Sequence, residues 1–502
     1  MTIIDEMRGL ILDYFGFRPT KEQQNAAQKM ASFIFEQQRE SMFVLKGYAG
    51  TGKTSLVGAL VKAMDALKQK TVLMAPTGRA AKVFSLHASH PAYTIHKRIY
   101  RQKSFTGEMA DFMQGVNLMR HTLFIVDEAS MISNDGYGDS PFGTGRLLDD
   151  LIQFVYSGEG CRLMLVGDTA QLPPVGQEES PALSITYLGG YGMPVHAQTL
   201  TEVVRQETDS GILWNATMLR CLLTEEKTMA FPQLRTVGFQ EVRYLPGNEL
   251  LEELEQAYYH CGTEETIVIT RSNARANAYN KGIRGRILGH EEELVGGDLV
   301  MVVKNNYHWV RPQGVTEKQG TPESPEKTGS PATPSMDFIA NGDVAVVRRV
   351  RHQREMHGFR FADVTLSFPD FDDMEVDATV LLDALYSDAP ALTREQQEQL
   401  FHRVWDDYPE LLNKRDRMKA VKEDPYFNAL QIKFAYAVTC HKAQGGQWQR
   451  VFLDQGYVTE DMLSPDYFRW LYTALTRATE TLYLVNWPLS QLDEDSLQAK
   501  SL

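Results

Sequence analysis

The sequence predicts an α/β protein with two parallel-sheet domains, a small β-barrel inserted into the second of them, and a helical insertion. Three observations lead to this prediction. Up to about residue 205, short apolar runs alternate with helix-length segments, which is typical of a parallel sheet with crossover helices. Two later apolar runs have helices beside them and indicate a second α/β domain. The long interval between those two runs has a different composition that is rich in strand-like segments.

The apolar runs give the predicted strands of both sheets. In the first domain, residues 1–205, they are 43–46, 71–74, 123–126 and 163–166. In the second domain, residues 206–296 with 430–502, they are 266–270, 434–438 and 482–485. Each run is short and apolar, as expected for a strand that is buried on both faces of a parallel sheet.

Residues 297–429 form the predicted insertion. Strand-like runs at 298–303, 343–350, 361–368 and 375–381 indicate a small β-barrel. Residues 311–335 are rich in Pro, Gly, Ser, Thr and charge and bury too little apolar surface to order themselves, so they predict a disordered loop. Residues 393–422 are charged and helical in composition, which favours a solvated amphipathic helical insertion.

Composition and charge narrow the class of protein. The 502 residues are 43% hydrophobic and 23% charged, as in ordinary core-forming proteins. The formal net charge of −14 argues against a broad basic surface for duplex binding and, taken alone, favours a metabolic enzyme. No apolar run is long enough for a membrane span and the N-terminal segment is acidic, so we expect a cytoplasmic protein without membrane contact. The four cysteines form no CxxC pair and are expected to be free thiols.

A phosphate-binding motif follows the first strand. Residues 47–54, Gly-Tyr-Ala-Gly-Thr-Gly-Lys-Thr, match GxxxxGK[ST] between strand 43–46 and a helix-compatible segment. The glycines let backbone N–H groups point at phosphate oxygens, Lys53 neutralises β/γ charge, and the Thr54 hydroxyl is a ligand for Mg²⁺. The predicted ATP-binding residues of this motif are Gly47, Gly50, Thr51, Gly52, Lys53, Thr54 and Ser55.

Two carboxylates end strand 123–126. Asp127 is expected to hold Mg²⁺, and Glu128 to polarise the attacking water as general base. An acidic pair after a strand is often only a solvated turn, but its position after a phosphate-binding loop favours the catalytic interpretation. Strand 163–166 leads into a proline-containing loop at the edge where ligands of open α/β sheets bind, and Gln171 in this loop is a candidate sensor of the γ-phosphate.

Two arginines are candidates for stabilising transition-state charge from across a domain cleft. They are Arg205, after the first domain's last predicted strand, and Arg477, close to the chain's end. The alternative for each is a surface salt bridge, which is the commoner fate of an arginine. Composition does not decide between the two.

In this order, the segments resemble the superfamily-1 helicases, and within them the RecD-like branch that moves 5′ to 3′ on single-stranded DNA. Residues 20–23 with 26–27 resemble the Q motif, 75–82 motif Ia, 94–96 motif Ib, 168–176 motif III, 436–445 motif V and 472–478 motif VI. The set covers nearly the whole chain. Two departures separate it from the 3′ to 5′ branch: Val203-Val204 replaces an adenine-stacking tyrosine, and motif V contains His441-Lys-Ala-Gln-Gly445.

This resemblance implies two RecA-like motor domains, an SH3-like barrel, and roles for particular residues. Gln23 would read the adenine edge, and Arg477 would be the arginine finger. Contacts to DNA phosphates would hold the strand without reading its sequence. The implied DNA-binding residues are Thr77, Arg79, Thr94, His96, Thr439, His441 and Lys442. For His96 and His441 the alternative is a structural histidine.

The resemblance also implies a function. A short pin at residues 101–116 would separate the duplex, with Phe105 as its wedge, although an exposed Phe is as often ordinary loop packing. The expected activity is an ATP- and Mg²⁺-dependent DNA helicase that acts as a monomer. Its expected partners are single-stranded DNA, single-strand/duplex junctions, and replication or repair proteins. A non-unwinding P-loop ATPase acting as a switch or loader, and an RNA helicase of the same superfamily, are the alternatives.

Overall fold

The computed structural model describes residues 2–37, 40–102, 112–136, 143–203, 210–310, 338–493 and 495. It divides into two compact units: one combines the described residues up to Ala276 with those from Ala437 onward, and the other is Asn277–Tyr436. The predicted loop 311–335 and the predicted functional residues Phe105 and Arg205 lie outside the described residues.

The first sheet has six parallel strands. In spatial order they are Ala92–Thr94, Lys70–Ala75, Thr122–Val126, Arg162–Gly167, Met42–Gly47 and Val195–Leu200. The four predicted strands are the four central ones, because strands covered on both faces must be apolar. Sequence patterning does not predict the two edge strands, which are less buried and more polar.

Helices surround this sheet, and the first two begin with capping boxes. Thr2 pairs with Asp5 and Thr20 with Gln23, so each threonine accepts an N–H of the first turn. The helices of this region are Ile3–Phe15, Lys21–Ile34, Lys53–Ala66, Gly78–Ala88, Ile95–Ile99, Leu147–Tyr156 and Ile185–Gly189, with short turns at Ala129–Met131 and Pro181–Leu183. The following helix, Gly211–Thr224, packs instead on helix Pro465–Leu475. Within the range expected for a pin, Tyr100–Gln102 pairs antiparallel with Phe112–Gln114.

The second sheet belongs to the same compact unit and has five parallel strands. In spatial order they are Ala437–Thr439, Thr266–Thr270, Trp448–Asp454, Ala478–Val485 and Val242–Leu245. The helical segments beside it are Leu250–Cys261, Cys440–Ala443, Glu460–Met462, Pro465–Leu475 and Leu489–Gln491. Strand Thr266–Thr270 has the predicted bounds, and its five residues are all buried.

The second compact unit contains a closed barrel of five strands. They are Leu299–Val302, Val344–Met356, Phe359–Phe368, Met374–Leu381 and Leu430–Phe434. The remaining helical segments in the described part of the chain are Asn273–Gly282, Ile283–Ile287, Pro369–Phe371, Leu382–Ala384, Arg394–Asp406 and Lys414–Glu423. The predicted α/β class with two parallel sheets and a small barrel is therefore confirmed.

Two details of the expected organisation are corrected. The predicted strand 434–438 is two strands: Leu430–Phe434 closes the barrel, and Ala437–Thr439 belongs to the second sheet. The barrel thus extends past the expected boundary at residue 429. An unbroken apolar run hides this change because both strands are buried, and burial alone does not say in which sheet a strand pairs.

The helical insertion is also less solvated than its composition indicates. It forms two helices, Arg394–Asp406 and Lys414–Glu423. Leu400, Val404 and Val421 on these helices share a buried apolar cluster with Phe361 of the barrel. The charged faces dominate the composition, while a narrow apolar face is enough to pack the helices on the barrel. Among the described residues, no helix is both long and apolar enough to cross a membrane.

A buried ion pair lies at the base of the barrel's first strand. Arg284 donates to both carboxylate oxygens of Asp298 at 2.8 Å, and the two side chains are only 4% and 0% exposed. The same carboxylate accepts from the Val295 N–H at 2.9 Å and the Tyr436 hydroxyl at 3.2 Å, and lies 2.9 Å from Nδ1 of His290. With so many partners, the buried charge of Asp298 is fully satisfied.

We expect Asp298→Ala to destabilise the protein by about 3–5 kcal/mol, because it leaves Arg284 as a buried charge without its partner. Asp377→Ala is the matched control, since Asp377 pairs with Arg351 on the surface of the same barrel and is 75% exposed; its loss should cost less than about 1 kcal/mol. Urea denaturation of the full chain followed by circular dichroism measures both. Equal midpoints for the two variants would contradict the structural role of the buried pair.

Candidate active site

The predicted catalytic segments meet at one edge of the first sheet. Strand Arg162–Gly167 lies between Thr122–Val126 and Met42–Gly47, and all three are parallel. Their carboxyl ends therefore point to the same edge, where ligands of open α/β sheets bind. This brings the phosphate-binding loop, Asp127 and Asp168 together, although they are far apart in the sequence.

The loop between strand Met42–Gly47 and helix Lys53–Ala66 has the shape of an anion cradle. Gly50 and Gly52 adopt left-handed φ values of 75° and 77°, which other residues reach only with strain. At Gly47, a Cβ atom would lie 2.5 Å from Cγ of Lys53, so the lysine stem fills the space a side chain would need. The helix then begins at Lys53 with its first N–H groups available to an anion, as a nucleotide phosphate requires.

Lys53 turns back onto its own loop. Its Nζ donates to the carbonyl oxygens of Gly47 and, at 3.3 Å, of Tyr48, and lies 3.8 Å from the Asp168 carboxylate. The lysine is thus held at the sheet edge by acceptors that a phosphate could replace. Thr51 is fully buried and donates to the Tyr48 carbonyl at 2.8 Å, which fixes the loop, whereas Ser55 is exposed.

Gln23 lies directly against the phosphate-binding loop. Its side-chain amide donates to the Thr51 carbonyl at 2.9 Å, and its oxygen accepts from the Thr20 N–H at 2.9 Å. The residue is 1% exposed, and a Cβ on Gly52 would lie 2.9 Å from its Nε2. The structure therefore gives Gln23 a role in supporting the loop, and its reading of adenine stays a prediction.

Asp127 and Glu128 form an electrostatically strained pair. Removal from water and the adjacent Glu128 carboxylate raise the pKa of Asp127 to about 7, while Lys53 acts in the opposite direction. Glu128 has a left-handed φ of 52°, and its N–H donates to the Asp127 carboxylate at 2.8 Å. A cation would relieve this concentration of negative charge, so the surroundings of Asp127 fit its predicted role as a Mg²⁺ ligand, while the role of the Thr54 hydroxyl stays a prediction. Among the described residues, no group of three or more His, Cys, Asp or Glu side chains could hold a metal.

The loop after strand Arg162–Gly167 contacts two helical segments that lie beside the second sheet. The Leu172 N–H donates to the Thr473 hydroxyl at 2.9 Å, and the Gln444 side-chain amide donates to the Leu172 carbonyl at 2.8 Å. Gln171, the neighbouring residue, is 7% exposed, and its side-chain oxygen has no hydrogen-bond partner. A buried amide oxygen without a partner is costly, which is consistent with a ligand-sensing role for Gln171.

Arg477 is buried near these contacts. It is 4% exposed and donates to the carbonyls of Thr473 at 3.0 Å and Gly446 at 3.1 Å, and to the Thr476 hydroxyl at 3.1 Å. Its burial rules out the alternative of a surface salt bridge. These three acceptors are uncharged, so they orient the guanidinium without neutralising it, as a charge-stabilising arginine needs.

The predicted DNA-binding residues divide into two groups. The hydroxyls of Thr77 and Thr94 accept N–H groups at the starts of helices Gly78–Ala88 and Ile95–Ile99, each at 3.2 Å. Burial lowers the pKa of His96 to about 4, so that this side chain is neutral near pH 7. Thr439 precedes the helix Cys440–Ala443.

The second group joins the two sheets. Arg79 donates to the Gln447 carbonyl at 3.0 Å, and its guanidinium lies 4.1 Å from the Trp448 ring centroid. His441 is exposed, and Lys442 is partly exposed in the same segment. The structure therefore places Arg79 against Gln447 and Trp448, which follow the helix Cys440–Ala443 that contains His441 and Lys442.

Sequence analysis does not single out Tyr472, Thr473 or Gln444 as functional residues. Each lies inside a segment recognised as motif V or VI, and the three form hydrogen bonds with the first sheet's loops. The sequence feature that could have indicated them is a polar side chain inside a largely apolar, buried segment, because buried polar groups need hydrogen-bond partners.

Two family models of known proteins match the parts of the chain that contain these candidate residues. Residues 19–239 match the family model described as an AAA domain, and residues 434–485 match the UvrD-like helicase C-terminal domain. An uncharacterized protein of Acanthamoeba polyphaga mimivirus is 22% identical across 92% of this chain and 98% of its own length.

Two characterised relatives match a shorter part. The ATP-dependent RecD2 DNA helicase of Deinococcus radiodurans is 31% identical over 31% of this chain and 19% of its own length. The multifunctional conjugation protein TraI of Escherichia coli is 28% identical over 30% of this chain and 9% of its own length. The match thus spans less than a fifth of either relative. Among solved structures, Pif1 helicase from Bacteroides with ADP-AlF3 and ssDNA covers 97% of both chains with 16% identity and a TM-score of 0.46.

The fold and the site define a P-loop ATPase with two parallel motor sheets. Its phosphate-binding loop and carboxylates lie at the edge of one sheet, and the buried Arg477, which precedes a strand of the other sheet, donates to Thr473, the residue bonded to Leu172 of the first sheet's loop. Together with the two matched family models and the similarity to the RecD2 DNA helicase, these features support a superfamily-1 helicase of the RecD/Pif1 type, a class of ATP-hydrolysing enzymes.

We expect Lys53→Ala to lower the rate of ATP hydrolysis by at least about 100-fold, because the variant loses a charge aimed at the phosphates. Its melting temperature should stay near that of the wild type. Lys62→Ala on the same helix is the control, since Lys62 is exposed and should not affect hydrolysis. A phosphate-release assay measures both. Hydrolysis by Lys53→Ala at the rate of Lys62→Ala would refute the assignment of this loop.

We expect Glu128→Gln to bind Mg-ATP and to hydrolyse it about 100-fold or more slowly, since an amide keeps the shape of the side chain but cannot accept a proton. Asp127→Asn should instead weaken the Mg²⁺ dependence of nucleotide binding, because it removes the charge of the cation's ligand. Titration with a fluorescent ATP analogue, with and without Mg²⁺, separates the two effects. Loss of nucleotide binding in Glu128→Gln would contradict its role as base.

Proposed function

We propose that the protein is a DNA helicase that moves 5′ to 3′ along single-stranded DNA and separates duplex by coupling Mg-ATP hydrolysis to closure between its two motor sheets. The observation that carries this proposal is the position of Leu172. Its N–H donates to Thr473 on helix Pro465–Leu475, and its carbonyl accepts from Gln444 at the end of helix Cys440–Ala443. Both helices lie beside the second sheet, and Leu172 directly follows the candidate γ-phosphate sensor Gln171. A change at the nucleotide site would therefore be transmitted to the second sheet.

The proposed chemistry uses residues from both sheets. ATP would displace the carbonyl acceptors of Lys53, and the first turn of helix Lys53–Ala66 would hold its phosphates. Glu128 would take a proton from the attacking water, and Arg477 would stabilise charge on the transferring phosphoryl group. Mg²⁺ held by Thr54 and Asp127 would neutralise phosphate charge when bound.

The proposed DNA side uses a few local groups instead of a basic surface. Arg79, His441 and Lys442 supply cations or N–H donors, and Thr77, Thr94, His96 and Thr439 supply further polar groups near helix starts. Such contacts hold phosphates without reading bases. The acidic net charge of −14 is compatible with such a site, because a few local contacts to the strand do not require a broad basic surface.

Relatives support DNA as the substrate class. The Deinococcus radiodurans relative is named a DNA helicase, and the Bacteroides structure contains ssDNA. Single-stranded DNA and its junctions with duplex are therefore the proposed partners. Separation of strands by a wedge at Phe105 is part of the same proposal, as is the transition-state role of Arg205.

Two partial duplexes test the function, one with a 5′ and one with a 3′ single-stranded tail. We expect ATP-dependent unwinding of the 5′-tailed substrate only, together with ATP hydrolysis that rises when single-stranded DNA is added. Glu128→Gln serves as the hydrolysis-deficient control. Unwinding of the 3′-tailed substrate alone would refute the direction but not the motor. Hydrolysis that ignores DNA would favour a non-unwinding switch or loader, and preferential stimulation by an RNA oligonucleotide would favour an RNA helicase.

A further inference from the structure

The hydroxyl of Tyr472 connects the phosphate-binding loop to the loop that follows strand Arg162–Gly167 and contains Asp168 and Gln171. It accepts a hydrogen bond from the Ala49 N–H at 2.8 Å and donates one to Oδ2 of Asp168 at 2.7 Å. Ala49 and Asp168 belong to loops of the first sheet, whereas Tyr472 lies on helix Pro465–Leu475 beside the second sheet. The ring is 1% exposed, and its burial next to Asp168 raises the pKa of the phenol well above its usual value, so the group stays neutral and able to donate.

Asp168 needs this bond because it is a carboxylate with 1% exposure. Its other oxygen accepts from the Ala170 N–H at 2.9 Å, and Lys53 lies 3.8 Å from Oδ2. If Lys53 moves toward a bound triphosphate, Asp168 loses its nearest cation. The Tyr472 and Ala170 donors then have to hold the buried charge alone, and a buried charge that lacks partners is strongly destabilising.

The helix of Tyr472 also determines where Arg477 lies. The next residue, Thr473, accepts from the Leu172 N–H through its hydroxyl and from Nε of Arg477 through its carbonyl, at 2.9 and 3.0 Å. Tyr472 and Thr473, which share one helical turn, therefore contact the phosphate-binding loop, the loop that contains Asp168, and the candidate arginine finger Arg477. A shift of this turn would move the guanidinium of Arg477 relative to the phosphates.

We propose that Tyr472 is a positioning residue for ATP hydrolysis: its hydroxyl holds the Ala49 and Asp168 loops in register with the turn that orients Arg477. This inference rests on the proposed ATPase function. It assigns Tyr472 no contact with nucleotide. Because Arg477 would act mainly on the transition state, loss of the hydroxyl lowers kcat and leaves the KM for ATP nearly unchanged.

Tyr472→Phe tests the role, because it removes the hydroxyl and keeps the ring. The matched control is Tyr467→Phe on the same helix. Tyr467 is 2% exposed, and its hydroxyl donates at 2.8 Å to the Gln455 side chain instead of to a loop of the first sheet. Tyr472→Phe loses two hydrogen bonds of a buried phenol and Tyr467→Phe loses one, and only the bonds of Tyr472 reach loops of the first sheet, so a merely structural role would leave kcat unchanged in both variants.

Steady-state ATP hydrolysis with saturating single-stranded DNA gives kcat and KM for the wild type and both variants, and binding of a fluorescent ADP analogue gives nucleotide affinity. We expect Tyr472→Phe to lower kcat about tenfold, with KM and ADP affinity within about twofold, and Tyr467→Phe to keep the wild-type kcat. Equal kcat values for the two variants, or a raised KM with unchanged kcat in Tyr472→Phe, would overturn the proposal.

Thr473→Val provides a second variant in case Tyr472→Phe does not fold. It removes the hydroxyl that accepts from Leu172 while keeping the side-chain volume. The same selective fall in kcat supports the role of this helical turn, and an unchanged kcat refutes it. Absence of hydrolysis in the wild type would instead refute the proposed function itself, which distinguishes that failure from a failure of the role of Tyr472.

Discussion

The buried carboxylate of Asp168 is the constraint on which the arrangement of the active site depends. A charge with 1% exposure must be surrounded by donors, and those donors come from three separate segments: Lys53 in the P-loop, Ala170 in its own loop, and Tyr472 beside the second sheet. Satisfying this one group therefore fixes the relative position of all three. Two further hydrogen bonds, from Leu172 to Thr473 and from Gln444 to Leu172, also join this loop of the first sheet to segments beside the second sheet.

Negative charge at the sheet edge determines what the site can accept. Lys53 lies 3.8 Å from Asp168 and lowers the pKa of Asp127, but burial and the neighbouring Glu128 carboxylate outweigh it and raise that pKa to about 7. A polyphosphate without a cation would be repelled by these carboxylates. The helix N-terminus and Lys53 attract its phosphates, so the site is suited to a nucleotide that arrives together with a divalent cation.

The barrel unit uses the same physical solution for a different purpose. Asp298 is fully buried and is held by Arg284, Tyr436 and a backbone N–H, all within that unit. Here the surrounded charge stabilises a fold, because both carboxylate oxygens of Asp298 are bound by donors of the same unit. In the nucleotide site, by contrast, Gln171 keeps a buried oxygen free and Lys53 is held by replaceable acceptors. This difference separates a structural ion pair from a site prepared for a ligand.

The sequence by itself determined the central strands, the phosphate-binding loop and the carboxylates that follow strand Thr122–Val126. These features are local: a buried strand must be apolar, and a strand–glycine loop–helix requires particular residues within one short segment. It also indicated the motif that contains Arg477, but it did not distinguish the barrel strand Leu430–Phe434 from the adjoining sheet strand Ala437–Thr439, because both are buried.

Only the tertiary structure decided which side chains connect the two sheets. The partners Ala49 and Tyr472 are 423 residues apart, and Leu172 and Gln444 are 272 residues apart. Hydropathy reports whether a segment is buried, but not which polar groups meet inside. That choice depends on bringing distant donors and acceptors within about 3 Å of each other, and only the packed chain does this.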